Sequence, residues 1–282
     1  MSAETAFINA MIDDIAKNRL EIPTLPEVAL RVRKLIDDPK ATGMQVSRVI
    51  STDPALSTRL IQVANSAMFA GMQAVDNVRS AVNRLGLGIV RNIVSCVVMK
   101  TLYQPKMSPA IRGHMQELWK HSTKVAAFCH ALSKQHPTLR QDEAMLAGLI
   151  HDVGTLPILM RAAKFPEIVK QRELLQTVVQ RLHRDIGKLI LQAWHFPDAL
   201  IDVVEHHEDL LYCNVGPVEY ADLVLVANLH AHLGEEHHPL GRVDWSTVPA
   251  FTKLDLSPEQ SVRVIKDAQA EIAGVFQLLG GH

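Results

Sequence analysis

Three cysteines in 282 residues, Cys96, Cys129 and Cys213, are too few and too far apart for a disulfide framework or a thiolate zinc site. All sit among apolar neighbours, and a reducing cytoplasm is the expected setting. Excess charge is also missing: the formal net charge is −1, which argues against a strongly basic DNA binder. Long apolar runs are absent. The longest, Ile89 to Met99, is broken by Arg91 and Asn92, so neither a membrane span nor a secretory core is expected. Runs of alternating Val and Ile between tight turns are lacking as well, which excludes a substantial sheet. There is no internal repeat and no low-complexity tract.

Hydrophobic residues make up 48% of the chain, enough to bury the core of one large or two ordinary domains. The near-neutral total hides a split. Residues 21–106 hold eleven Lys/Arg against six Asp/Glu, whereas 107–282 hold sixteen against twenty-one. Helical spacing runs through almost every segment. Pro26 opens a helix over 26–37 with Val28, Ala29, Val32, Leu35 and Ile36 on one face. Thr42 with Gln45 forms a capping box, and Asp53-Pro54 opens a third helix. Helices follow at 78–85, stopped by Gly86, and at 88–102. Pro105 and Pro109 mark a joint. Beyond it helices are expected at 111–134, 141–152, 167–192 with a break, 198–209 and 217–233. A polar loop over 234–249 precedes a last helix capped by Ser257. Met68, Phe69 and Met72 read as loop packing or a partner surface. The expected fold is all-α, in three stretches: 1–106, a helical half; 107–233, a second helical half; and 234–282, a loop and C-terminal amphipathic helix.

The chemistry gathers at Ala144–Thr155, AMLAGLIHDVGT. Most of it suits a buried helix, and Gly148 leaves room for another backbone. Gly154 and Pro157 read as stop signals. His151 and Asp152 stand side by side in this apolar setting, where an ion pair is costly unless compensated. A metal ion would compensate them, as would a hydrogen-bonded His–Asp network without metal. Glu117 lies four residues before His121 on one face, with His114 near the same stripe. His183 begins an H-x-x-x-G pattern ending at Gly187. His206 and His207 follow in VVEHHED, and Asn228 lies in LVLVANLHAH. Imidazoles and carboxylates without thiolate suit iron, manganese, nickel or zinc. Two such ions about 3.5–4 Å apart would clamp a phosphate and generate a hydroxide at neutral pH.

The order H…HD…H…HH resembles the HD superfamily of metal-dependent phosphohydrolases, especially its HD-GYP branch. There the ligands come as Glu-x-x-x-His, His-Asp, His-x-x-x-Gly, His-His-Glu and a late Asp. The resemblance carries ligand roles to Glu117, His121, His151, Asp152, His183, His206 and His207. The front half, with IPTLPEVALRVRKLIDDP, VISTDPALSTRLIQVANSAMF and SAVNRLGLGIVRNIV, resembles the HDOD family of signalling output domains; together the two cover residues 20–230. HDOD proteins commonly lack most HD ligands, whereas this chain keeps nearly all. Three positions depart from the hydrolases. Thr155 stands where a lysine usually follows His-Asp-x-Gly, no Gly-Tyr-Pro follows Glu208, and Asn228 replaces the late aspartate. Asp222 is no substitute, because six residues of helix turn it to a different side.

The resemblance implies an N-terminal bundle packed on an HD-like helical core, and bacterial signal transduction. Its site would hold one or two divalent ions (Fe, Mn, Ni or Zn), with Asn228 as a neutral ligand. Asp152 and Lys124 are the candidates for acting on a bound phosphate; Lys124, one turn after His121, also reads as a plain surface lysine. A signalling protein or a nucleotide or other phosphate ligand is the expected partner. Turnover of a phosphate ester is the alternative function. A scaffold with relict histidines is a third reading. His130 falls on the face opposite His121, and His237, His238 and His282 read as solvated.

Overall fold

The computed structural model describes residues 3–280, apart from 18, 70, 72, 104–108 and 236–237; Met72, Pro105, His237 and His282 therefore lie outside the described residues. Among those described there is no β-strand. The first half comprises α1 (Ala3–Ala16), α2 (Glu27–Ile36), α3 (Gly43–Ile50), α4 (Pro54–Ala64), α5 (Val78–Leu85) and α6 (Leu87–Leu102). The second begins with the long α7 (Pro109–Ser133), then α8 (Gln141–Ile150), α9 (Thr155–Ala162), α10 (Pro166–Lys170), α11 (Arg172–Ala193), α12 (Asp198–His206) and α13 (Tyr220–Ala231). After a loop with two 3₁₀ turns come α14 (Pro249–Lys253), α15 (Pro258–Asp267) and α16 (Gln269–Leu279).

Local chemistry sets most of these boundaries. The Thr42–Gln45 capping box forms in both directions, and the Asp53 side chain accepts the Leu56 N–H ahead of Pro54. Gly86, at φ 76°, separates α5 from α6 in a conformation that side chains disfavour. The expected break between residues 167 and 192 falls at Gln171. Two expectations need correction. Gly154 and Pro157 do not end a helix: Gly154 is right-handed helical (φ −66°, ψ −17°) and Pro157 sits in the first turn of α9, where its missing N–H costs nothing. The last helix is two, parted at Ala268. Cys213 is exposed, unlike buried Cys96 and Cys129.

Helix α7 is the hub of the second half, packing on α8, α13, α15 and α16. Helix α6 reaches across to α8 and α16, and α11 lies against α9 and α12. Polar ties join the first half to the second. Asn92 Nδ2 donates to Asp142 Oδ2 (2.7 Å), and Trp194 Nε1 donates to the Pro23 carbonyl (3.0 Å). Buried Arg33 donates to Ser95 Oγ and the His195 carbonyl, with its guanidinium 3.8 Å from the Phe196 ring centre. Met68 and Phe69 pack against the core. Residues 141–162 are long and apolar enough to cross a membrane, but 83% of the relevant window is buried inside the protein.

Candidate metal centre

Close backbone approach brings the histidines together. A Cβ on Gly148 would lie 2.8 Å from the Ala126 Cα, so glycine there lets α8 press against α7 and sets His151 opposite His121. A Cβ on Gly154 would overlap the His183 carbonyl oxygen, so the turn carrying His151 and Asp152 rests directly on α11. His207 enters from the residue after α12.

Asp152 is the centre of the group. Its Oδ2 lies 3.4 Å from His151 Nε2 and 3.7 Å from His121 Nε2. Its Oδ1 lies 3.3 Å from His207 Nε2 and 3.7 Å from His183 Nε2. The result is two ligand groups, His121–His151–Asp152 and Asp152–His183–His207, which share one carboxylate. Three of the imidazoles are oriented identically. His151 Nδ1 donates to the Gly148 carbonyl (2.7 Å), His183 Nδ1 to that of Val179 (2.8 Å) and His207 Nδ1 to that of Val204 (3.0 Å). In the neutral ring that fixes the proton on Nδ1 and leaves a lone pair on Nε2.

Those lone pairs converge. His183 Nε2 and His207 Nε2 stand 3.2 Å apart; His121 Nε2 is at the same distance from His151 Nε2, but its ring has no such Nδ1 bond and can donate across that gap. Facing lone pairs at this distance repel unless a proton or cation lies between them. Burial and the neighbouring His151 push the His121 imidazole well below its ordinary pKa, and burial lowers His207, so both favour the neutral form; at His151 burial is outweighed by Asp152, which raises it. Burial opposes ionisation of Asp152, but His151 and His207 outweigh it and hold the carboxyl well below the usual range. Asn228 is fully buried; its Nδ2 reaches the His207 carbonyl at 3.5 Å, while its Oδ1 has no hydrogen-bond partner. A buried carbonyl oxygen left without a donor, on a side chain that touches the His207 backbone, poorly suits a closed hydrogen-bond network.

Other expected residues stand apart. His206 is turned about 100° from His207; it stacks on Tyr212 at 4.2 Å and its Nδ1 is 3.8 Å from Asp209. It does not join the cluster. Glu117 is exposed and pairs with Arg172 (3.4 Å) at the mouth of the cleft. Lys124 also lines the cleft, but its Nζ donates to the Ala231 carbonyl (2.6 Å). Asp222 is held by Lys253 (2.7 Å) and the Glu219 N–H. Sequence reasoning passed over three residues. Glu208 Oε2 lies 3.6 Å from His183 Nε2, as the His-His-Glu pattern could have suggested. His232 lies against His121, and His238, expected in solvent, stacks on His232. No sequence spacing signals those two, because His232 ends α13 and His238 precedes the 3₁₀ turn at Pro239–Arg242, and only the fold stacks their rings.

The cleft above the cluster measures about 550 Å³, with Lys120, Lys124, Arg172 and His114 among its lining. An all-helical body in which a His-Asp turn meets histidines from other helices defines the HD-like class. Residues 22–210 match the HDOD domain, and the chain belongs to the HDOD family. A protein of Shewanella amazonensis SB2B, provisionally named a metal-dependent phosphohydrolase, is 31% identical, with a TM-score of 0.83 over 99% of this chain and 100% of that one. An HDOD domain protein of Geobacter sulfurreducens shares the fold at 19% identity and a TM-score of 0.69, over 98% and 99% of the two chains. An uncharacterized protein of Treponema pallidum (strain Nichols) is 25% identical over 86% of this chain, which spans 48% of that relative's length.

Proposed function

We propose that the chain is a regulatory HDOD protein whose centre holds two divalent ions and binds a phosphate-bearing ligand in the cleft above them. One observation carries this reading: Asp152 offers one oxygen to each of two histidine groups. His121, His151 and Asp152 would hold one ion, and Asp152, His183 and His207 the other. Bound there, divalent ions would polarise phosphoryl oxygens and lower the pKa of a water. The chain's own residues do the rest. Backbone carbonyls of Gly148, Val179 and Val204 fix the imidazole protons, and Lys120 and Arg172 supply positive charge at the mouth. The ligand set suits manganese, iron, nickel or zinc. Unpaired Cys96, Cys129 and Cys213 suit a reducing cytoplasm.

Binding is favoured over turnover because the groups that would stabilise a transition state are weakened. Thr155 replaces a cation, Lys124 is engaged by Ala231, and Asn228 brings no charge. The second reading, hydrolysis of a phosphate ester, is favoured by Glu208, whose carboxylate beside His183 adds a negative charge that Asn228 does not. Manganese-loaded protein titrated with inorganic phosphate, and assayed on an aryl phosphodiester, tests both. Phosphate binding lost in Asp152→Ala, without turnover, is the expected result. Turnover lost in the same variant establishes the second reading, and a wild-type protein that does neither overturns both.

A further inference from the structure

His151, His183 and His207 are each fixed by a hydrogen bond to a backbone carbonyl within their own segment. His121 is held differently. Among the described residues no hydrogen bond reaches its Nδ1, and its ring lies against His232 with centroids 4.7 Å apart and planes at 33°. His232 in turn stacks on His238 at 3.7 Å with planes 2° apart. Both outer rungs are pinned. His232 Nδ1 donates to Glu235 Oε2 at 2.8 Å, and His238 Nδ1 accepts the Leu240 N–H at 3.3 Å. One turn along α7 from His121, Lys124 ties the end of α13 to the same place.

We infer that His232, backed by His238, is the positioning residue for His121. The ion position formed by His121, His151 and Asp152 therefore depends on the segment after α13, and the position formed by Asp152, His183 and His207 does not. This rests on the proposed metal centre. The physical reason is ordering: a ligand ring that must be immobilised on binding loses rotamer freedom, whereas a ring already packed in place does not. Partners that orient a ligating histidine typically change metal affinity by about 10–100-fold when removed.

The test titrates metal-stripped full chain with Mn²⁺, by calorimetry and by electron paramagnetic resonance, which separates a magnetically coupled pair from isolated ions. Wild type should take up two ions as a coupled pair. His232→Leu, which removes the stacking ring, should weaken one ion by about 10–100-fold, leave the other unchanged, and replace the coupled signal with an isolated one. His232→Phe, which keeps a ring, should restore the pair. Thermal unfolding checks that the variants fold. If His232→Leu does not, His238→Ala, which removes the far rung, should weaken the same ion. Two tightly bound, coupled ions in the folded variants would overturn the inference while leaving the centre intact. Fewer than two ions in wild type would overturn the centre and the inference with it.

Discussion

His206 and His207 share their chemistry and differ in direction, because one residue along a helix turns a side chain by about 100°. His207 is buried with Nε2 on Asp152, whereas His206 stacks on Tyr212 near the surface. Replacing His207 with alanine should therefore abolish tight uptake of one manganese ion, while His206→Ala should leave both affinities within roughly twofold; calorimetric titration separates the two. The sequence pattern could bring both histidines to the right helix end but could not choose between them, since the choice depends on how α12 packs against α11 and α13. Away from the cluster, buried His230 has its pKa pushed down to about 4 by burial. The unfolded chain then binds the extra proton first, so the folded state has no penalty above about pH 6.5 and loses stability as pH falls from there toward 4. The loss reaches about 3 kcal/mol at the acid end. His230→Gln, which can still bond Ser261, should flatten that part of a denaturant-midpoint profile against pH; an unchanged slope contradicts it.

Glycine contacts set the helices that carry the centre. Gly148 lets α8 approach α7, and Gly154 lets the His-Asp turn rest on α11. Gly154→Ala should cost about 2–4 kcal/mol in urea denaturation and weaken manganese uptake, because the clash falls on backbone that cannot yield cheaply. Gly113→Ala, where an added Cβ meets nothing within 4 Å, should not destabilise. Most helices were legible from caps and apolar spacing: α3, α4 and α15 start where Thr42, Asp53 and Ser257 cap them, while the cap that Asn77 gives α5 went unread. Helix α9 was not, for a physical reason. Gly and Pro are ambiguous locally: Gly154 is needed for close contact and Pro157 fits a first turn, so two apparent stop signals serve a helix start.

Across the whole molecule, the union of the two halves is carried by buried polar contacts more than by the opposed net charges of the sequence. The exposed pair Lys164–Glu21, which contributes at most about 1 kcal/mol, and the half-buried pair Arg161–Asp14 also link them. Arg33 is the stronger tie, stacked on Phe196 and bonded to the His195 carbonyl across the junction and to Ser95 within its own half, with burial lowering its pKa to about 10. Arg33→Ala should destabilise the fold by about 2 kcal/mol, read as a shifted urea midpoint, and a change under roughly 0.5 kcal/mol would contradict that role. The same assembly gathers His121, His151, Asp152, His183 and His207 from four separate segments. The measurement that tests this most directly is the manganese content per chain, after loading and desalting, of wild type, His183→Ala and Asp152→Ala. A shared carboxylate predicts two ions, one ion and none. Wild type without bound metal, or Asp152→Ala that keeps both ions, would contradict it.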